Sequence, residues 1–172
     1  MSTIRIIGSL AILVLCAAVG QSQEKKIVMT HVKYDGLKQE VLKHRGKVVV
    51  IDFWATWCPS CMEAFPKFIE YQKKYADKGL VVIAVSIDSM EKEGAVERAN
   101  RFLNKHKSPL RNLLLDEPPE VLEKQFAFES LPFYYVFDRQ GKWVRFRAAD
   151  YKDSGVPYDE LEKTIVQLLN EK

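Results

Sequence analysis

Cys58 and Cys61 enclose Pro59 and Ser60 in the stretch IDFWATWCPSCMEAFP, which runs from Ile51 to Pro66. Two thiols at this spacing can form a redox-active disulfide, supply half of a metal site, or close a structural cross-link. The cross-link is the weakest reading, because a disulfide across so short a loop removes little chain entropy. A structural zinc takes four ligands. The other cysteine, Cys16, lies in an apolar N-terminal run, and His31, His44 and His106 stand singly on separate predicted elements. No metal site is expected from this set. Redox chemistry fits better: Cys58 stands where a helix should begin, and unpaired N–H groups and the helix dipole favour a thiolate there. Cys61 follows one turn later, within bonding reach but deeper in the helix. In this reading Cys58 attacks a substrate disulfide and Cys61 resolves the mixed disulfide.

Asp52 lies six residues before Cys58, inside KVVVIDFW. That β-branched and aromatic run reads as a strand covered on both faces. A carboxylate buried there without a partner is biased toward its protonated form. It could then take or return the proton that Cys61 loses or gains. The alternative is a partnered or edge-facing aspartate with no part in proton transfer.

The elements that would hold these groups follow from periodicity and turn signals. A helix from Cys58–Pro59 to Lys78–Gly79 carries Phe65, Phe68, Ile69 and Tyr75 inward, opens on a proline and should be kinked by Pro66. Strands are expected over Ile27–Val32, Lys47–Trp54, Leu80–Ile87, Asn112–Leu115, Phe133–Phe137 and Lys142–Arg147. Asp138-Arg139-Gln140-Gly141 marks a hairpin between the last two. Further helices are expected over Asp35–His44, Glu91–Lys107, Pro118–Phe126 and Tyr158–Leu169. This order implies an α/β domain: a central mixed sheet with helices on both faces.

The chain has 172 residues, 47% of them hydrophobic and 28% charged, which suits one globular domain. Its net charge of +3 is spread in short pairs such as Lys73-Lys74, so no nucleic-acid partner is expected. The N-terminus differs. After Arg5, the run IIGSLAILVLCAAVG ends in small residues and gives way to QSQEKK. Residues 1–20 are therefore expected to be a secretory signal peptide, with residues 21–172 as the mature domain. An uncleaved anchor and lipid attachment at Cys16 are the alternatives, and membrane association is expected only with one of them.

VIDFWATWCPSC, from Val50 to Cys61, resembles the thioredoxin family's strand, buried Asp and Trp-Cys-x-x-Cys. The resemblance covers most of residues 35–170. VSID (Val85 to Asp88), NLLLD (Asn112 to Asp116) and LPFYYVFDRQGKWV (Leu131 to Val144) are similar to the extracytoplasmic TlpA/ResA-type thiol–disulfide oxidoreductases. That branch implies a thioredoxin-like fold with a helix and strand inserted after the first βαβ unit. It also implies a periplasmic or otherwise extracytoplasmic reductase, with or without a membrane anchor. Its substrates would be protein thiols and disulfides, its electron donor would lie upstream in the membrane or periplasm, and it would need no cofactor. Several members of the branch serve cytochrome c maturation. The resemblance makes Pro132 a cis-proline facing the cysteines and places Leu131 and Trp57 beside an extended substrate.

Two positions depart from the branch. Ala64 stands where an acid is common, and Glu63 points about 100° away on the helix. Leu131 replaces a polar or β-branched residue, so with Phe133 and Tyr134 it could give a substrate an apolar rim. Rival readings are a thiol peroxidase, a copper-delivering module and a redox-inactive binding adaptor on the same fold.

Overall fold

The computed structural model describes residues 26–151 and 156–171. The expected signal peptide over residues 1–20 lies outside the described residues. In chain order the elements are β1 (Thr30–Val32), α1 (Tyr34–Leu42), β2 (Val48–Trp54), α2 (Pro59–Tyr75), β3 (Leu80–Ser86), α3 (Ala95–Lys105), β4 (Arg111–Leu115), α4 (Pro119–Phe126), β5 (Phe133–Phe137), β6 (Trp143–Arg147) and α5 (Tyr158–Asn170). The strands form one sheet in the order β1-β4-β3-β2-β5-β6. β1, β4, β3 and β2 run parallel, while β5 pairs antiparallel with β2 and with β6. The α/β class and the mixed sheet are as the sequence implies.

Every residue of β2 is buried, as expected of a strand with helices above and below. Alternation divides its side chains. Val48, Val50 and Trp54 join the core formed with α2, α3 and α5, and Val49, Ile51 and Phe53 join the core under α1 and α4. On the first face Phe65 and Phe68 are fully buried, and Trp54, Phe65 and Phe102 pack ring to ring at 5.2–5.3 Å. α2 runs as one helix through Pro66. Lacking an N–H, Pro66 leaves the Met62 carbonyl without its usual helical donor.

Two elements begin several residues later than the sequence suggests, each for a visible reason. β1 begins at Thr30 rather than Ile27. The N–H groups of Ile27 and Met29 donate to the side-chain oxygens of Asn104 and Asn100 on α3, so side chains satisfy this backbone instead of a ladder. α3 begins at Ala95 rather than Glu91, because Gly94 takes a left-handed φ of 69° that no helix can include.

At the end of the sheet where β2 and β3 begin, one side chain joins several segments. The Arg139 guanidinium donates to the carbonyls of Gly46, Lys78, Leu169 and Glu171. Gly79, at φ 95°, ends the short 3-10 turn after α2 beside it, and a Cβ there would meet Arg139 Nη1 at 3.3 Å.

Candidate active site

β2 ends at Trp54, and a short turn lifts the chain onto α2. Cys58 is the N-cap of that helix, in extended conformation, and Pro59 is its first residue. Cys58 and Cys61 are joined by a disulfide, with Cα atoms 5.3 Å apart. The Cys58 sulfur also accepts the Cys61 N–H at 3.2 Å, and the Ser60 hydroxyl lies 3.5 Å from it. So the sulfur occupies the place a serine or aspartate oxygen takes at other helix starts. Donors meet it there before any substrate arrives. Cys58 is 5% exposed and Cys61 1%. The two sulfurs are unequal, as their places in the helix suggest: the outer one can be approached, the inner one is sealed.

Asp52 is 1% exposed, and its Oδ2 has no hydrogen-bond partner. Burial pushes its carboxyl well above the ordinary carboxylate value. In register it lies between Ala84 of β3 and Tyr134 of β5, on the α2 side of the sheet. The alternative of a partnered or edge-facing aspartate does not fit this placement.

The turn before Cys58 is held from β3. The Asp88 carboxylate, 2% exposed, accepts the Thr56 N–H at 3.0 Å, the Thr56 hydroxyl at 2.6 Å and the Ser86 hydroxyl at 2.9 Å. Charge-assisted bonds of this kind are the strong ones. They fix the segment that presents Trp57, which is 53% exposed, and Cys58. Leu131 and Pro132 come from the other side. Their shared peptide bond is cis. They immediately precede β5, whose first residue pairs with Phe53, so both sit at the end of the sheet from which the Cys58 turn leaves. Pro132 is buried and Leu131 half-buried. The fold therefore gathers Trp57, Cys58, Leu131 and Pro132 at one pole, with Asp52 and Cys61 beneath.

A model described as the AhpC/TSA family matches residues 24–149. The chain belongs to the AhpC/TSA family. It is 30% identical over 152 residues to the thiol-disulfide oxidoreductase ResA of Bacillus thuringiensis subsp. konkukian, a match that covers 78% of this chain and 82% of ResA. It is 34% identical over 106 residues to the thioredoxin-like protein YneN of Bacillus subtilis, but the match spans only 59% of YneN's length and 62% of this chain. Among solved structures, a putative thiol:disulfide interchange protein DsbE from Chlorobium tepidum superposes with a TM-score of 0.55 at 31% identity. That alignment covers 76% of this chain and 85% of the other. A thiol-disulfide isomerase from Corynebacterium glutamicum shares the fold with a TM-score of 0.62 at 20% identity. The fold of this AhpC/TSA member is thus thioredoxin-like.

Two features of this AhpC/TSA chain escaped the sequence reading. One is the Thr56–Asp88–Ser86 network. Its signals were an aspartate just past a buried strand and a threonine just ahead of the cysteines, 32 residues apart. The other is the pair of hydroxyls of Tyr134 and Tyr158, 2.9 Å apart. Tyr134 is fully buried, and burial, with Asp52 and Tyr158 nearby, pushes its hydroxyl far above the ordinary value. It is Asp52's cross-strand neighbour, and it packs on Phe68 at 4.9 Å, so its role is core packing at least as much as lining the site. Ala64 is 4% exposed in the core, whereas Glu63 is exposed, as its helical position predicts. Among the described residues no three of His, Cys, Asp and Glu gather where they could hold a metal. His106 packs against the Phe102 ring, tilted by 53° with centroids 4.5 Å apart.

Proposed function

We propose that this protein is a thiol–disulfide oxidoreductase that reduces protein disulfides outside the cytoplasm. The observation that carries the reading is the disulfide between an N-cap cysteine and a sealed partner one turn on. ResA and the DsbE-type structure, each about 30% identical, support it. In the reduced enzyme the Cys58 thiolate attacks one sulfur of a substrate disulfide and expels the other as a thiolate. The Cys61 sulfur then attacks Cys58, re-forming the 58–61 bond and releasing the second substrate thiol. Two electrons pass from protein to substrate, and an upstream dithiol must return them. Asp52, when ionised, takes the proton that Cys61 gives up, because burial raises the affinity of its carboxylate for a proton. Trp57, Leu131 and Pro132 form the surface on which the substrate chain lies.

The apolar run Ile6–Gly20 with its basic start supports export, by a cleaved signal or by an anchor. Among the described residues no helix is long and apolar enough to cross a membrane. The TlpA/ResA-type resemblance is what supports the reducing direction and a place in cytochrome c maturation.

The test is capture. Cys61→Ser should accumulate mixed disulfides through Cys58, recoverable from the native compartment with a reducing agent, and Cys58→Ser should accumulate none. Wild-type enzyme should reduce insulin. If both variants trap equally, or the wild type consumes peroxide and leaves insulin intact, the assignment fails.

A further inference from the structure

On the face of the sheet away from the disulfide lies a cavity of about 270 Å³. Ile51, Tyr135 and Phe137 form its floor from β2 and β5, Leu37 and Val41 form one wall from α1, and Phe126 of α4 closes the other. Its mouth has a different character. Lys38, Arg45 and Lys47 line it, all three are exposed, and none has an ion-pair partner among the described residues. Asp138 is the only carboxylate among the described lining residues, and its Oδ1 already accepts the N–H groups of Gln140 and Lys142 in the hairpin turn. The Arg45 guanidinium reaches across to that hairpin, with Nη2 3.8 Å from where a Cβ on Gly141 would stand.

An apolar floor under a mouth of three cations and one carboxylate is complementary to a molecule with one apolar end and one anionic end. The volume lies just under the roughly 300–1,000 Å³ of drug-sized ligand sites, so it suits a single short acyl chain rather than a two-chain lipid. We propose that this cavity binds a free single-chain carboxylate amphiphile of medium length, its chain over Ile51 and Tyr135 and its carboxylate at Arg45 and Lys47. The site is separate from Cys58 and Cys61, which belong to the core on the other face of the sheet, so the proposal does not depend on the proposed disulfide exchange.

The probe is decanoate, titrated below its micelle concentration into the full chain and followed by calorimetry and by amide chemical shifts. Saturable binding of one decanoate per chain is expected, with a negative heat-capacity change from apolar burial and shifts centred on α1 and on Ile51 and Tyr135. The double variant Arg45→Glu, Lys47→Glu changes only exposed side chains, so it should fold normally and reduce insulin at the wild-type rate. Its decanoate affinity should fall at least tenfold. Decanol should bind wild type several-fold more weakly than decanoate does. Val41→Phe, which fills the cavity, should also lose binding while its circular dichroism stays unchanged. Absence of saturable binding overturns the proposal. So does charge reversal without effect, decanol binding as tightly as decanoate, or shifts centred on Trp57 and Cys58.

Discussion

The two faces of the sheet are built from alternate residues of the same strands, yet they are covered unequally. On the face of Val50, Asp52 and Trp54 lie helices of 17, 11 and 13 residues, α2, α3 and α5. On the face of Val49, Ile51 and Phe53 lie helices of 9 and 8 residues, α1 and α4. Full cover strips water from Asp52 and Cys61, which is what makes a carboxyl hold its proton and a thiol wait for an internal partner. Thin cover leaves a cavity open to solvent. One strand thus faces a closed core that holds the disulfide on one side and an open cavity on the other, and helix length makes the difference.

The largest expected effect tests whether chemistry is confined to the covered face. Cys58→Ser should drop insulin reduction to the uncatalysed background, whereas Tyr135→Phe on the other face should leave it within about twofold. Comparable losses from both would erase the distinction. Packing gives the next contrast. Phe65→Ala, in the filled core, should cost about 3–5 kcal/mol in urea unfolding. Phe126→Ala borders space that already exists, so it should fall at or below the low end of that range. If Phe126→Ala cost more, the second face would be the better packed.

Asp52→Asn sharpens the comparison through pH. Burial raises the folded carboxyl above the ordinary 3.8, so the wild-type fold prefers the proton. Below that ordinary value, folded and unfolded chains both hold it, and wild type and variant should show the same pH dependence. Above it the unfolded chain ionises while the fold does not. Wild type should then lose about 1.4 kcal/mol relative to the variant for each pH unit. The loss should level off once pH passes the raised folded value. A wild-type curve parallel to that of Asp52→Asn from acid to neutral pH would show that the covered face is not dry. The smallest effect on stability is expected for Trp57→Ala, within about 0.5 kcal/mol because the ring is half in solvent. Its substrate KM should nonetheless rise if the exposed rim is where substrates dock.

What could be read from the sequence was what lies close together along the chain. Cys58, Pro59 and Cys61 share one helical turn, so spacing alone suggested their chemistry, and the burial of Asp52 followed from its apolar neighbours in β2. The Asp88–Thr56 clasp joins the ends of two parallel strands, and no local pattern announces which aspartate will meet which threonine. The cavity was illegible for a further reason. Leu37, Val41 and Phe126 look like ordinary core positions at helical spacing, and only the short reach of α1 and α4 leaves room beside them. The starts of β1 and α3 were misplaced by decisions made elsewhere: two asparagines on α3 for the strand, and the left-handed turn at Gly94 for the helix.

Arg139 has a mechanical meaning. By holding the carbonyls of Gly46, Lys78, Leu169 and Glu171, it clamps the turn into β2, the turn into β3 and the tail of α5 to one point. That point is the pole opposite Cys58. Four bonds from one side chain thus tie together segments far apart in the chain, so replacing Arg139 would free four carbonyls at this end without touching the turn that carries the disulfide.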